Sequence, residues 1–175
     1  MNQRPRILIF TGEGKGKTTA ALGMALRAAG HAMRVHVIQF VKADRRTGEI
    51  QALAHLPGLT LTQVGRGFLP PPTDPKFAAH QRAAQEGLTL ARQALAQGGL
   101  DMLILDEICL AISAGLVTEA QVLELIAGSA RTVLVLTGRG ATPGLIAAAD
   151  TVTEMRPVKH LFDTDRGSAG KGVEF

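Results

Sequence analysis

The stretch TGEGKGKTTAA, Thr11 to Ala21, concentrates the residue types that hold phosphate. Glycines let backbone N–H groups converge on an anion, a following helix N-terminus adds favourable partial charge, and Lys17 adds a mobile positive charge. Lys15 is a second cation inside the loop, and Thr18 offers a hydroxyl to Mg²⁺. The common phosphate-loop spacing, G-x-x-x-x-G-K-[ST], sets four residues between its glycines. Here only Glu13, Gly14 and Lys15 separate Gly12 from Gly16, and Thr11 stands where a first glycine is usual. A phosphate loop works with a carboxylate at the end of a later buried strand. LILDE, Leu103–Glu107, supplies Asp106 and Glu107, either of which can hold Mg²⁺ directly or through water, or cap the next helix. In TGRG, Thr137–Gly140, Arg139 is placed to clamp phosphate or to form a surface ion pair.

These groups need elements to position them, and the chain alternates regularly. Apolar runs at Arg6–Phe10, Arg34–Phe40, Leu59–Val64, Leu100–Glu107, Arg131–Gly138 and Asp150–Met155 read as strands. Helical spacing covers Thr18–Gly30, with Gly30 as its stop, and about Asp74–Gln97, with Asp74-Pro75 as cap and first turn. Thr118–Gln121 reads as a capping box opening a helix that ends near Gly128. Strands separated by helices predict an α/β fold: a mostly parallel sheet of about six strands with helices on both faces. The loop, Asp106-Glu107 and Arg139 then share the carboxyl edge of that sheet. The proline-dense Gly67–Pro75 segment is a shaped loop, too short to divide domains, so a single domain over residues 1–175 is expected.

Composition limits the partners. Hydrophobic residues make up 46% of the 175 residues and charged residues 19%, a globular balance. No apolar run approaches the ~20 residues that cross a bilayer, and the N-terminus lacks a signal-peptide layout, so a cytoplasmic location is expected. A net charge of +4 allows an anionic ligand. The absence of Trp and Tyr, with scattered basic residues, argues against nucleic acid. Cys109, the one cysteine, excludes an internal disulfide and reads as a small core residue.

The loop and carboxylates alone define a P-loop nucleotide protein, a class that includes ATPases and small-molecule kinases. More of the sequence narrows the choice. TGEGKGKTTAALGMALRAAG, VHVIQFVK, Gly48-Glu49, GRGF, LILDE, LTGRG, AADTVTEMRPVKH and the terminal KGVEF occur in this order. Together they resemble the P-loop type of ATP:cob(I)alamin adenosyltransferases, the corrinoid adenosyltransferases, over nearly the whole chain. That family carries the same compact loop. The resemblance implies a P-loop NTPase (RecA-like) fold with ATP lying in the loop in a reversed sense, its 5′ carbon toward the corrinoid. It implies attack by cob(I)alamin on C5′ of ATP, transfer of the 5′-deoxyadenosyl group to cobalt, and release of intact triphosphate. Cofactors implied are ATP, Mg²⁺ (or Mn²⁺) and a corrinoid substrate; partners implied are a reductase or flavoprotein and a second copy in a homodimer. A corrinoid-binding protein without turnover is the other reading the motifs allow.

By the same resemblance, Gly12, Gly14, Lys15, Gly16, Lys17, Thr18 and Thr19 hold ATP, and Thr18, Asp106 and Glu107 surround the metal. Lys17, Glu107 and Arg139 act in catalysis. Gln39, Phe40 and Lys42 line the nucleotide or corrinoid side, and Lys159 and His160 approach the site. Phe68 is placed below the corrinoid, where the family uses aromatic residues to displace the lower ligand of Co(II). Two departures stand out. The family has an N-terminal arm, whereas Met1 to Pro5 alone precede the first strand here, so a more open corrinoid pocket is expected. The family often shows Gly-x-Gly-Phe-Thr-Trp, whereas this chain has Pro70 at the tryptophan position.

Overall fold

Along each interior strand, alternate side chains point to opposite sides, and both sets are apolar. Ile7 and Ile9, Ile38 and Phe40, Leu103 and Leu105, and Leu134 and Leu136 form one buried face. Val35 and Val37, Met102 and Ile104, and Val135 form the other. A strand buried on both faces belongs in the middle of a parallel sheet. The computed structural model, which describes residues 6–159, 172 and 173, has that architecture. Strands β1 (Ile7–Thr11), β2 (Val35–Gln39), β3 (Leu59–Gln63), β4 (Met102–Asp106), β5 (Val133–Thr137) and β6 (Thr151–Glu154) form one sheet in the order β3-β2-β4-β5-β1-β6. Every pairing is parallel.

Helix α1 (Lys17–Ala29) covers the second face. Its Ala21, Ala25 and Ala28 recur at helical spacing and are buried, so small side chains set the helix close against the sheet. Helix α2 (Gly48–Leu53) adds Leu53 to that side. The opposite face is covered by α3 (Phe77–Gln97), α4 (Ile108–Ser113), α5 (Glu119–Ala127) and α6 (Pro143–Ala148), through residues such as Leu88, Ile108, Leu125 and Leu145. Each fully buried Leu or Ile contributes roughly 1.5–3 kcal/mol, so this two-sided core dominates stability. Cys109 is part of it, fully buried, and burial pushes its thiol up to about 12. Among the described residues, no helix is long and apolar enough to cross a membrane.

The capping box forms as predicted: Gln121 N–H donates to Thr118 Oγ1 at 3.3 Å and Thr118 N–H to Gln121 Oε1 at 2.9 Å. Two expectations shift. Helix α3 starts at Phe77, because Asp74 accepts from Lys76 N–H at 2.7 Å and closes a turn ahead of the helix. Gly30 caps the end of α1 as expected, with right-handed backbone, and the left-handed residue that follows is Ala32, at φ 56°. Phe40 is core: it is 2% exposed, and a Cβ on Gly87 of α3 would sit 2.9 Å from its ring, so it does not line a ligand site.

Candidate active site

The sheet order brings the carboxyl ends of β1, β5, β4 and β2 together on one edge. The glycine loop leaves β1 there. Gly12 and Gly16 take φ of 93° and 109°, a region that favours glycine. The loop also leans on the end of β6: Gly14 N–H donates to Met155 O at 2.6 Å, and Met155 N–H to Thr11 O at 2.8 Å. A Cβ on Gly12 or Gly14 would come within 2.5 or 2.7 Å of that Met155 carbonyl. The glycines are therefore required by a backbone neighbour as well as by turn geometry. Met155 is a residue that sequence reasoning gave no role; its signal was the pairing of a glycine loop with a distant VTEM segment.

Lys17 opens α1 and is 7% exposed. Its ammonium turns back on the loop, donating to Gly12 O at 2.8 Å and Gly14 O at 2.6 Å. Burial lowers its pKa and the nearby Arg139 cation adds to this, opposed by Glu107, Glu13 and Asp106. Lys15 is exposed and donates to Val173 O at 2.5 Å.

Asp106, 1% exposed at the end of β4, is the centre of a polar network. Its Oδ1 accepts from Thr18 Oγ1 at 2.8 Å and Thr137 Oγ1 at 2.7 Å. Its Oδ2 accepts from Gln39 Nε2 at 3.0 Å and lies 3.7 Å from Lys42 Nζ. Gln39 is fully buried beneath the cleft, against Asp106, rather than on the cleft wall. Its own Oε1 accepts from Gln63 Nε2 at 2.9 Å. Lys42 also pairs with Glu49 at 3.2 Å. Burial opposes ionisation of Glu49, but its own backbone N–H and Lys42 outweigh that and lower its pKa.

Glu107 follows at φ 64°, left-handed backbone for a residue with a side chain. Its N–H donates to Thr137 Oγ1 at 2.9 Å, which ties this turn to β5. Its Oε2 is buried and has no hydrogen-bond partner among the described residues. Burial raises the Glu107 carboxyl above its ordinary range, and the charge of Asp106 adds to this.

Above these groups lies a cleft of about 430 Å³. Lys15, Gly16, Lys17, Thr18, Thr19, Lys42 and Glu107 line it, together with Glu49, Gly172 and Val173. The volume suits a small-molecule ligand, and the lining suits an anionic one. Arg139 stands outside this lining and pairs with Glu13 at 3.1 Å, both partners exposed. Phe68 is 95% exposed on the segment after β3, away from the core. Lys159 is exposed, and His160 lies outside the described residues. Among the described residues, no group of three His, Cys, Asp or Glu side chains could hold a metal unaided.

The profile of the family described as ATP:corrinoid adenosyltransferase BtuR/CobO/CobP matches residues 3–175. A corrinoid adenosyltransferase of Pseudomonas aeruginosa is 39% identical over 176 residues, 99% of this chain and 85% of the relative. One from Escherichia coli K12 is 37% identical over 164 residues, 93% of this chain and 82% of the relative. Corrinoid adenosyltransferase CobA of Salmonella typhimurium is 37% identical over 167 residues, covering 92% and 81% respectively.

Proposed function

Because this chain belongs to the ATP:corrinoid adenosyltransferase family, we propose that its cleft is where the adenosyl group of ATP passes to a corrinoid. The enzyme moves that group to cobalt, and the reading assigns each side chain a part. Cob(I)alamin or a related cob(I) corrinoid is itself the nucleophile, so the protein needs no activated water or serine. A cobalt–carbon bond forms at C5′, the C5′–O bond breaks, and triphosphate leaves whole. The protein's tasks are alignment, exclusion of water and stabilisation of charge gathering on triphosphate.

The loop amides from Gly12 to Thr19, with Lys15 and Lys17, suit the triphosphate. Lys17 exchanges its two carbonyl partners for phosphate oxygens as ATP arrives. Arg139, beside the mouth, turns from Glu13 to the same leaving group. Lys42 supplies a further cation on the opposite wall.

The observation that carries the reading is the unpartnered, buried carboxylate oxygen of Glu107 beside the Thr18–Asp106 pair. A lone acceptor of this kind is costly unless a cation or donor completes it. Mg²⁺ fits here, with Thr18, Asp106 and Glu107 as its protein side and substrate phosphate and water as the rest. When bound, Mg²⁺ (or Mn²⁺) neutralises charge on the triphosphate. Phe68, exposed and next to the proline run, suits the corrinoid face. The same reading takes residues 1–175 as one domain of a cytoplasmic homodimer that receives electrons from a reductase or flavoprotein.

The test is anaerobic turnover of ATP, Mg²⁺ and chemically reduced cobalamin. Adenosylcobalamin and triphosphate are expected in equal amounts. Lys17→Ala should lose on the order of 10²-fold in kcat, as for removal of one preorganised charge contact. Near-normal turnover in Lys17→Ala, or release of orthophosphate by the wild type, would refute the assignment of the loop.

A further inference from the structure

A line of two amides, half-buried Gln63 on β3 and fully buried Gln39 on β2, runs to Asp106 on β4, and its direction is forced. Asp106 Oδ2 accepts from Gln39 Nε2 at 3.0 Å, so the Gln39 amide must present its NH₂ to the carboxylate. That leaves Gln39 Oε1 facing away, where it requires a donor. Gln63 Nε2 provides it at 2.9 Å and also donates to Asp44 O at 3.2 Å. Gln63 Oε1 is thereby left buried without a partner among the described residues. Turning the Gln63 amide over would place oxygen against oxygen, so the orphan cannot be relieved by a flip.

An unpartnered acceptor is a cost that an apolar side chain would avoid. Gln63 ends β3, and the Phe68 segment follows directly. Gly65 and Gly67 of that segment sit on the backbone after β2: Gly65 N–H donates to Gln39 O at 3.2 Å and Gly67 N–H to Val41 O at 2.9 Å. One short stretch thus touches Asp106 through Gln39 and carries Phe68 at its other end.

We propose that Gln63 is a positioning residue that acts through Gln39 to fix the Asp106 carboxylate, joining the segment that carries Phe68 to the nucleotide-side carboxylates. It rests on the reading of the cleft as the adenosyl-transfer site. Gln63 touches neither substrate. With its donor in place, Asp106 keeps Oδ2 on Gln39 and Oδ1 on Thr18 and Thr137. Without it, Gln39 Oε1 loses its donor, and the amide that holds Asp106 Oδ2 is no longer anchored from the far side.

The experiment compares Gln63→Leu, Gln63→Glu, Gln39→Leu and the Gln39→Leu/Gln63→Leu double variant, with preformed cob(I)alamin supplied. Gln63→Leu should lose about tenfold in kcat, on the scale of one hydrogen bond in a charged network. KM for ATP should stay within about twofold, since the triphosphate contacts lie in the loop. Gln63→Glu, although the same shape, should be slower than Gln63→Leu, because an ionised carboxylate faces Gln39 Oε1 with no proton to give. A residue that merely fills space would rank these two the other way. The double variant should be no slower than the worse single one, since both break one chain. Unchanged kcat in Gln63→Leu, Gln63→Glu faster than Gln63→Leu, or fully additive losses would each overturn the relay while leaving the site assignment intact. A wild type that makes no adenosylcobalamin would overturn both.

Discussion

Thr137→Val tests the centre of the site with almost no change of shape. The Thr137 hydroxyl is fully buried, donates to Asp106 Oδ1 at 2.7 Å and accepts from Glu107 N–H at 2.9 Å. Valine can do neither. Loss of a hydrogen bond to a charged group costs about 1.5–3 kcal/mol, and an orphaned buried N–H about 1–3 kcal/mol more. The extra buried methyl returns about 0.8 kcal/mol, and Asp106 keeps Thr18 and Gln39, so the net is about 3 kcal/mol. For a chain of this length that is a fall in Tm of about 6–12 °C. Thr137→Ser keeps the hydroxyl and loses one methyl, so about 1 kcal/mol is expected. The chain has no Trp and no Tyr, so urea unfolding should be followed by far-ultraviolet circular dichroism rather than intrinsic fluorescence. Adenosyl transfer should fall in Thr137→Val and survive in Thr137→Ser. A valine variant as stable as wild type, or a serine variant equally damaged, would refute the argument that this hydroxyl holds the Asp106–Glu107 turn.

Two further outcomes follow from the geometry. Burial, then Asp106, raises Glu107 above its ordinary value of 4.5, so between that value and the raised one the folded chain holds more protons than the unfolded chain. Ionised Glu107 therefore costs stability at neutral pH and nothing below its ordinary range. Nucleotide-free Glu107→Gln should be more stable than wild type at neutral pH, with the gap closing as the solution is acidified, and should lose turnover; melting curves across pH check this, and a constant gap would count against it. Phe68→Ala, at a 95% exposed position, should change stability by less than ~0.5 kcal/mol. It should slow turnover from Co(II) with a biological reductant far more than from ready-made cob(I)alamin, with loss of the four-coordinate Co(II) signal in electron paramagnetic resonance; retention of that signal would refute the role given to Phe68.

The interior strands β1, β2, β4 and β5 were legible because they are largely buried and so read as apolar runs between helical patterns, while the edge strands β3 and β6 showed as alternation of threonine with apolar residues. The short helices α2, α4 and α6 were not, since six residues barely complete a hydrophobic period. Lys17, Thr18, Asp106 and Glu107 were legible because a phosphate loop and a strand-end carboxylate are local patterns. What the sequence could not give was partnership at a distance. Nothing near Gln63 announces that its amide reaches Gln39, or that Gln39 lies beneath the cleft rather than on its wall. Thr137 was noticed only as part of TGRG; its hydroxyl meets Asp106 and Glu107 because β5 lies beside β4 in the sheet.

The glycine loop rests on the carbonyl of Met155, which follows β6, the last strand among the described residues. Among the described strands β1 is the first made and β6 the last, yet they are neighbours. During synthesis the nucleotide loop is therefore translated long before its support exists. At about 5–20 residues per second, roughly 7–28 s separate the emergence of the two. The nascent chain carries Gly12 to Thr18 through that interval without the backbone on which Gly14 leans. Until Met155 is made, Gly14 N–H lacks the carbonyl it donates to, so the geometry of this loop is completed only from the far end of the chain.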